Sequence, residues 1–366
     1  MKTSWRNVVV GCLLLFSWLG CVSESVPVGE GEPESMLDWP ALPAPVSNNA
    51  VASIEMGEKS YIFSFNGLGS GKTWRDVGSL AFQYQVGEGA WIVLDDVPGG
   101  EGRLATVAVG VGDGVFIFGG YTVAEDGSEK SAPWVHRYDP VARRFEERSP
   151  MPVPVDDSVS LLYKNRYVYL VSGWHDTDNV SLVQVYDTET DQWFEATPYP
   201  GAAVFGHAGG IVGNRMVIAD GTRVVAGETD RRLRFAISDD CYLGSIDKED
   251  PARIDWKELP THPGVPLYRM ASVGTDSGGE RVVFAGGSDN PYNYDGVGYN
   301  GEPSEPSPRI FAFNLERDAW QELGALKVAT MDHRALLQVG SEFVIVGGML
   351  AGQKVTDRVG AFVLRD

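Results

Sequence analysis

The chain has 366 residues, of which 50 are acidic and 30 are basic, so its formal net charge is −20. A surface this acidic repels nucleic acid, and the sequence holds no basic patch that would attract it. Hydrophobic residues (43%) and charged residues (22%) occur in proportions typical of a folded protein, while 44 glycines and 21 prolines favour many short strands and turns.

The first 21 residues have the pattern of an export signal. Lys2 and Arg6 supply positive charge, and the apolar run over residues 8–19 is too short to span a membrane. The run leads to Cys21, which follows a glycine and resembles the lipidated cysteine of a bacterial lipobox. The pattern predicts an exported lipoprotein of the cell envelope, in the periplasm or at the outer membrane. A simple secretory signal that contains Cys21 by chance is the alternative.

Residues 22–35 are acidic and rich in Gly, Pro and Ser, a composition that cannot bury a core. They are predicted to form a flexible tether between the lipid anchor and a folded domain over residues 36–366. If Cys21 is lipidated, Cys241 is the only cysteine left in the mature chain. We therefore expect no internal disulfide, and a domain that relies on its hydrophobic core.

An apolar strand that ends in glycine recurs six times along this domain. The copies are YIFSFNG ending at Gly67, VFIFGG at Gly120, VYLVSG at Gly173, MVIADG at Gly221, VVFAGG at Gly287 and FVIVGG at Gly348. Repeats of about 50 residues are typical of propellers in which each repeat forms one blade. Six copies predict an all-β, six-bladed β-propeller.

A second landmark follows the glycine in each repeat. A strand ends in an aromatic residue and Asp or Asn, a polar turn follows, and another aromatic residue opens the next strand. The pairs are Tyr138 and Phe145, Tyr186 and Trp193, and Phe313 and Trp320, and Trp91 and Trp256 occupy the later position in their own repeats. Such aromatic side chains are expected to pack between neighbouring sheets.

The double glycine, the later tyrosine and the tryptophan resemble the repeats of the kelch family. Gly119-Gly120, Gly286-Gly287 and Gly347-Gly348 match the double glycine, and the other three repeats keep its second member. The last repeat lacks a tryptophan strand, whereas the segment around Trp39 supplies one before the first repeat. The N-terminal segment is therefore predicted to pair with the C-terminal blade and close the ring. The alternative is a three-stranded last blade with Trp39 packed nearby.

Polar residues open the innermost strands and follow the glycines, and these loops share one face of a propeller. The candidate ligand-binding residues are Arg103, His175, His207, Arg234, Arg269, Asp289, Asn290, Tyr294, Asp332, His333 and Arg334. Arginine clamps carboxylates, amides bind hydroxyl groups and tyrosine rings stack on sugars, so an acidic sugar is the expected ligand. The alternative is that these arginines pair with aspartates of neighbouring blades and that the loops pack on themselves.

The sequence contains no familiar catalytic motif. The five histidines lack a spaced metal motif, and no nucleophile elbow and no P-loop occur. Cys241 is expected to be a buried structural thiol. We therefore expect no metal and no cofactor.

The C-terminal third is similar to the bacterial sialic acid mutarotases (N-acetylneuraminate epimerases), which are periplasmic six-bladed kelch proteins. The similarity lies in FAGG at 284–287, the long Tyr- and Asn-rich loop after it, and the IVGG block. It implies a sugar-acid ligand, but Thr222 stands where that family has its catalytic glutamate. Arg232 or Arg234 would be the family's arginine, and Glu228 the substitute acid.

Two functions follow from these patterns. The first is a module of the cell envelope that binds an acidic sugar or a protein partner. The alternative is an enzyme of the sialic acid mutarotase type, which would be a carbohydrate epimerase.

Overall fold

The computed structural model describes residues 39–364, together with Met1 and Leu37. These residues form six antiparallel sheets, each with its strands in chain order from the inside outward. The strands of blade 1 are Ala50–Met56, Lys59–Leu68, Val77–Gln85 and Ile92–Val93. Those of blade 2 are Val107–Val111, Gly114–Phe118, Val135–Asp139 and Arg144–Arg148. Those of blade 3 are Val159–Tyr163, Tyr167–Val171, Val183–Asp187 and Gln192–Ala196. Those of blade 4 are Ala208–Val212, Arg215–Ala219, Cys241–Ile246 and Ile254–Leu259. Those of blade 5 are Ala271–Thr275, Arg281–Ala285, Arg309–Asn314 and Ala319–Ala325. Those of blade 6 are Leu337–Val339, Glu342–Val346 and Val359–Val363.

The fold is the predicted six-bladed β-propeller. The innermost strand of each blade contacts the innermost strands of both neighbours, and blade 6 contacts blade 1, so the ring is closed. The second strands carry the glycine-tipped repeats, and Gly114–Phe118 and Arg281–Ala285 are buried along their whole length. These strands are continuous apolar runs because other blades cover both faces of their sheet. The outer strands face solvent and are less apolar, as in Arg144–Arg148.

Short two-stranded hairpins and helical turns lie on one face of the disc. Hairpins join the second and third strands of four blades: Tyr121–Val123 with Glu129–Ser131, Trp174–His175 with Asp178–Asn179, Thr222–Val224 with Phe235–Ile237, and Met349–Leu350 with Lys354–Val355. The helical turns are Trp74–Asp76, Arg231–Arg234 and Ala351–Gln353. Within the described part of the chain, no helix is long and apolar enough to cross a bilayer.

Three tryptophans connect neighbouring blades through the indole N–H. Trp193 donates to Ser149 O (3.0 Å) and Trp320 to Pro260 O (2.6 Å), in each case at the end of the preceding blade. Trp256 donates to Thr197 O in the same way. These outer-strand aromatics therefore supply both apolar packing and a directed hydrogen bond at each blade interface.

The N-terminal segment lies against blade 6, as the closure prediction requires. Leu42 N donates to Asp357 O (2.8 Å), and the indole of Trp39 donates to Glu342 Oε2 (2.7 Å). Trp91 of blade 1 donates to Pro40 O (2.9 Å), so Pro40 takes the place that the end of an outer strand has elsewhere. The described residues form only three strands in this sheet, and the fourth strand expected around Trp39 is not among them. The signal peptide, Cys21 and the tether lie outside the described residues.

Six residues form a ring around the propeller axis, one where each chain segment enters an innermost strand. All six have a left-handed backbone, with φ between 51° and 71°, and they are Asn48, Ala105, Asp157, Gly206, Arg269 and Asp332. We call them the axial ring. Hydrogen bonds connect the segments around the circle, for example from Gly206 N to Asp157 O (2.9 Å) and from Arg269 N to Gly206 O (2.7 Å). The ring fixes which side chains converge on the axis.

The residue before each member of the axial ring pairs with the residue just after the glycine of the same blade. The six bridges join Ser47 to Leu68, Leu104 to Tyr121, Asp156 to Trp174, Phe205 to Thr222, Tyr268 to Ser288 and Met331 to Met349. The loops after the glycines and the loops before the innermost strands therefore share one face, as predicted. Any site at this end of the axis is built from both sets.

Candidate functional site

The axis at this face is occupied by two arginines and two aspartates that neutralise one another. Arg269 donates from Nε and Nη2 to the two oxygens of Asp157 (3.1 and 2.5 Å) and from Nη1 to Asp332 Oδ1 (3.0 Å). Arg334 Nη1 donates to Asp157 Oδ1, and its Nη2 lies 3.7 Å from Asp332 Oδ1. We call these four residues the axial quartet. Its formal charge is zero.

The side chains of the quartet are 0–3% exposed, so their charges depend on one another rather than on water. Burial alone would raise the pKa of the Asp157 carboxyl, but the adjacent charges of Arg269 and Arg334 hold it below its ordinary value. Burial alone would lower the pKa of Arg269, but the negative charge around it, chiefly that of Asp157, raises this pKa well above its ordinary value. Asp157 and Arg269 therefore favour each other's ionised form.

A cleft of about 430 Å³ opens on this face directly over the quartet. We call it the face cleft, and its lining residues are Tyr121, Gly127, Glu129, Asp156, Asp157, Trp174, Asp176, Phe205, Thr229, Arg234, Phe235, Arg269, Asn293 and Tyr299. They come from the hairpins of blades 2, 3 and 4, from the long loop of blade 5, and from the axial ring with the residues just before it. The volume is in the range of small-molecule sites in proteins.

Aromatic rings form one wall of the face cleft. The rings of Phe235 and Tyr299 lie 4.1 Å apart, and those of Trp174 and Phe205 lie 5.3 Å apart. Phe205 also contacts Tyr268 beneath the cleft, with the ring centroids 5.6 Å apart. Each ring is held by its neighbours, so the wall is already in place without a ligand.

Carboxyl groups also line the cleft. The Ser131 hydroxyl donates to Asp156 Oδ2 (2.6 Å), while Ser131 N donates to Asp176 Oδ1 (3.1 Å). Asp156 is 2% exposed, and burial together with the neighbouring charge of Asp157 raises its pKa well above the ordinary value. The cleft therefore contains a carboxyl that favours the neutral form.

Arg234 is the cation on the rim. Its guanidinium lies 5.4 Å from the ring centroid of Phe235 and 5.9 Å from that of Trp174, and Nη2 donates to Thr177 O (2.8 Å). No carboxylate among the residues placed by the structure pairs with it. Arg234 is thus the cleft arginine with charge available for a ligand.

The structure brings together only some of the residues predicted for the site. Arg234 and Arg269 line the face cleft, while Asp332 and Arg334 lie below it in the quartet. Carboxylates pair with both Arg269 and Arg334, which is the pairing between blades named as the alternative to an anion site.

Arg103 does not reach the cleft. Its side chain is fully buried against blade 2, donates to Gly119 O (2.6 Å) and lies 5.4 Å from the ring centroid of Trp134. Burial lowers the pKa of Arg103 to about 10. The guanidinium therefore fills the interior of blade 2 and hydrogen-bonds to its backbone.

The predicted histidines also serve the scaffold. His207 Nε2 contacts Val171 O (2.9 Å) and His333 Nε2 contacts Thr330 Oγ1 (2.9 Å). Burial lowers the pKa of His207 to about 4 and that of His333 to about 3, so both are neutral near pH 7. His175 bonds to Pro154 O through Nδ1 (2.7 Å) and does not line the cleft.

The long loop of blade 5 packs largely on itself. Asn290 donates to Asn300 Oδ1 and Glu302 O within the loop, and Asp289 is exposed. Tyr294 packs against the apolar cluster under the cleft. None of the three lines the cleft, whereas Asn293 and Tyr299 of the same loop do.

Sequence reasoning missed several cleft residues, above all Tyr121, Glu129, Phe205 and Phe235. A signal was present: Tyr121 directly follows the glycine of its repeat, and Phe205 stands at the bridge position before its innermost strand. Phe235 gave no such signal, because it closes an irregular hairpin of blade 4.

Neither Thr222, which stands at the position of the mutarotase glutamate, nor Glu228, the suggested substitute acid, lines the cleft. Thr222 is fully buried, and Glu228 accepts hydrogen bonds from Thr229 N and Asp230 N (both 2.8 Å). Across the part of the chain that the structure describes, no group of three or more His, Cys, Asp or Glu side chains is placed to hold a metal ion. Cys241 is a buried free cysteine, and burial raises the pKa of its thiol.

Comparison with known proteins supports a kelch-type propeller. The chain is 32% identical over 108 residues to Kelch-like protein 15 of Gallus gallus, covering 29% of this chain and 22% of that protein. It is 27% identical over 261 residues to Kelch-like protein 15 of Mus musculus and 21% identical to that of Homo sapiens, covering in both cases 68% of this chain and 39% of the relative. The chain thus spans well under half the length of these relatives. No protein-family model matches the sequence.

A solved structure gives the same fold. The structure of YjhT superposes with a TM-score of 0.68 at 17% identity, covering 87% of this chain and 95% of that one. An identity this low establishes similarity of fold alone. A propeller of this kind is compatible with a binding module or with an enzyme.

Proposed function

We propose that the protein is a binding module of the cell envelope that holds a small, sugar-like ligand in the face cleft. The observation that carries this proposal is the combination of an aromatic wall, formed by Trp174, Phe235 and Tyr299, with hydrogen-bonding side chains in the same cleft. Sugar rings stack on aromatic faces while their hydroxyl groups bond to carboxyl and amide groups. A cleft of about 430 Å³ has room for one or two such rings.

Arg234 supports an acidic sugar as the first candidate. Its guanidinium stands at the rim with no carboxylate partner among the described residues, and it would pair with a ligand carboxylate. Glu129 and Asp176 also line the cleft, so a ligand carboxylate is expected to lie on the Arg234 side.

The test is the affinity of the purified domain for acidic and neutral sugars, measured by calorimetry. N-acetylneuraminate and glucuronate serve as acidic probes, with glucose as the neutral counterpart of glucuronate. We expect Arg234→Ala to weaken the binding of the acidic probe by roughly tenfold or more and to affect the neutral one little.

Arg223→Ala is the matched control, because Arg223 is exposed on the same hairpin and does not line the cleft. It removes the same charge and is expected to leave both affinities unchanged. Equal binding by wild type and Arg234→Ala would count against the site. If no sugar of either class binds, the cleft is no sugar site and a protein partner becomes the remaining proposal.

The same samples test the enzymatic alternative. A mutarotase would accelerate anomeric exchange of N-acetylneuraminate, which NMR measures directly. The position at which the mutarotase similarity expects a catalytic glutamate holds the buried Thr222, which is no acid or base for this reaction, so we expect exchange at the rate in buffer. Acceleration by wild type that Arg234→Ala abolishes would establish an enzyme in place of a binding module.

Attachment to the cell envelope is a separate part of the proposal and rests on the sequence before residue 22. Expressed in a bacterium with labelled fatty acid, the full chain is expected to incorporate the label and to sediment with membranes. Cys21→Ser should abolish both, whereas Cys12→Ser, which changes a cysteine inside the apolar run, should abolish neither. Export of the Cys21→Ser protein without any loss of label would contradict the lipid anchor.

A further inference from the structure

Asp156 lies at the floor of the face cleft with its backbone fixed. Asp156 N donates to Trp174 O (3.0 Å), and Trp174 N donates to Asp156 O (2.9 Å). This bridge joins Asp156 on the floor of the cleft to Trp174 in its aromatic wall. The position of the carboxyl relative to the wall is therefore set by the fold.

Ser131 determines which oxygen of Asp156 accepts a hydrogen bond. The Ser131 hydroxyl accepts from Asp176 N (3.1 Å) and lies 2.6 Å from Asp156 Oδ2. A hydroxyl has one proton, and Asp156 Oδ2 is the acceptor placed to receive it. Oδ2 is thus an acceptor, and a proton carried by the carboxyl belongs on Oδ1.

Oδ1 of Asp156 has no hydrogen-bond partner among the described residues. It is also absent from the buried side-chain atoms that lack partners, so it is open to the cleft that Asp156 lines. The neighbouring Asp157 differs in this respect, because Arg269 and Arg334 take up its carboxylate. The two consecutive aspartates therefore have opposite environments.

The charged and titratable groups facing Asp156 favour its neutral form. Burial first, and then the charges of Asp157 and Glu129, raise the pKa of Asp156 well above its ordinary value. The Ser131 hydrogen bond and the charge of Arg269, which is shared with Asp157 and Asp332, act in the opposite direction. Asp176 and the phenol of Tyr121 are the other titratable groups that line the cleft beside Asp156.

We propose that Asp156 binds the ligand of the face cleft as a neutral carboxylic acid, with Oδ1 donating a hydrogen bond to an oxygen atom of that ligand. The proposal rests on the binding function proposed above and adds the chemistry of recognition. A carboxylic acid selects for an acceptor oxygen, such as a hydroxyl or ring oxygen of a sugar whose carboxylate pairs with Arg234. An ionised Asp156 has no proton to donate and repels an anionic ligand, so the affinity depends on the proton of Asp156.

Two variants of Asp156 distinguish a side chain that donates a hydrogen bond to the ligand from one that only occupies space. Asp156→Asn keeps the shape, since its amide oxygen accepts from Ser131 while its NH₂ donates into the cleft at every pH. Asp156→Ala removes the donor. With glucuronate as the probe, we expect wild-type affinity to fall as pH rises, Asp156→Asn affinity to stay constant, and Asp156→Ala affinity to be roughly tenfold weaker than wild type at low pH.

Asp178→Asn is the control, because Asp178 is exposed in the same hairpin as Trp174 and does not line the cleft. It should retain the wild-type pH dependence. A wild-type pH profile in Asp156→Asn, or binding by Asp156→Asn as weak as that of Asp156→Ala, would overturn the proposal.

Infrared difference spectra of wild type minus Asp156→Asn provide a readout that needs no ligand. At neutral pH we expect the carbonyl band of a protonated carboxyl group, and a carboxylate band in its place would refute the neutral acid. Failure of the binding function gives a different result: no probe binds to wild type at any pH, while the protonated-carboxyl band is still present.

Discussion

Arg269 and Asp157 form a two-pronged ion pair on the propeller axis although they lie 112 residues apart in the chain. They belong to blades 5 and 3, and both are members of the axial ring. The pair neutralises Arg269, an arginine predicted to bind a ligand, beneath the face cleft that it also lines.

Removing one partner of this pair should destabilise the fold. Asp157→Asn leaves Arg269 and Arg334 with one carboxylate between them in a buried site, and we expect a loss of about 3–5 kcal/mol in the free energy of unfolding. Urea unfolding measures the loss. Asp318→Asn is the control, because its pair with Lys257 is more than half exposed and should contribute little. A loss no larger than that of the control would mean that the quartet is not a stabilising unit.

Gly206 of the axial ring should tolerate a side chain less well than Gly213, which lies outside the ring. A Cβ atom on Gly206 would lie 2.0 Å from Tyr268 Cε2, whereas one on Gly213 would have nothing within 4 Å. Both residues have nearly the same φ, 61° and 60°, so the backbone strain of an alanine is shared. Gly206→Ala should therefore lower the melting temperature clearly more than Gly213→Ala. Equal effects would show that Tyr268 moves aside at little cost.

The tryptophan contacts between blades predict a graded loss. Trp320→Phe keeps much of the apolar packing but removes the hydrogen bond from the indole to Pro260 O, and it should cost about 0.5–1.5 kcal/mol. Trp320→Ala also removes packing against Phe313 and Phe284 and should cost more. Chemical denaturation of both variants gives the comparison. The hydrogen bond is unimportant if the phenylalanine variant matches wild type.

Acid should destabilise the protein through a buried histidine. His207 has a pKa of about 4 when folded and an ordinary value near 6.5 when unfolded, so between these pH values the unfolded chain binds more protons. Stability is therefore complete above about pH 6.5 and falls as pH drops, by about 3 kcal/mol at pH 4 for this group. His207→Gln keeps a donor towards Val171 O and should weaken this decline. Unfolding curves measured at several pH values test it, and an unchanged decline would assign the acid sensitivity to other groups.

The sequence by itself determined the blade architecture. Each glycine-tipped strand is a local pattern, and burial between two neighbouring blades requires the continuous apolar run that the pattern shows. The outer aromatic residues were likewise predictable, because the same order of strand-end aromatic, polar turn and second aromatic recurs, as from Tyr186 to Trp193. A fourth strand of blade 6 around Trp39 was predicted from the same pattern. The described residues include no strand there, but Trp39 and Pro40 contact blades 6 and 1 respectively.

Only the tertiary structure decided what the polar residues do. Asp157, Arg269 and Arg334 come from different blades or different strand positions, and no local pattern states whether an arginine will meet a carboxylate or a cleft. The closed ring brings their side chains to one buried point, where charges must be paired because water cannot solvate them. The same closure leaves Arg234 and Asp156 facing the cleft, so the distribution of paired and available charge is a property of the assembled disc.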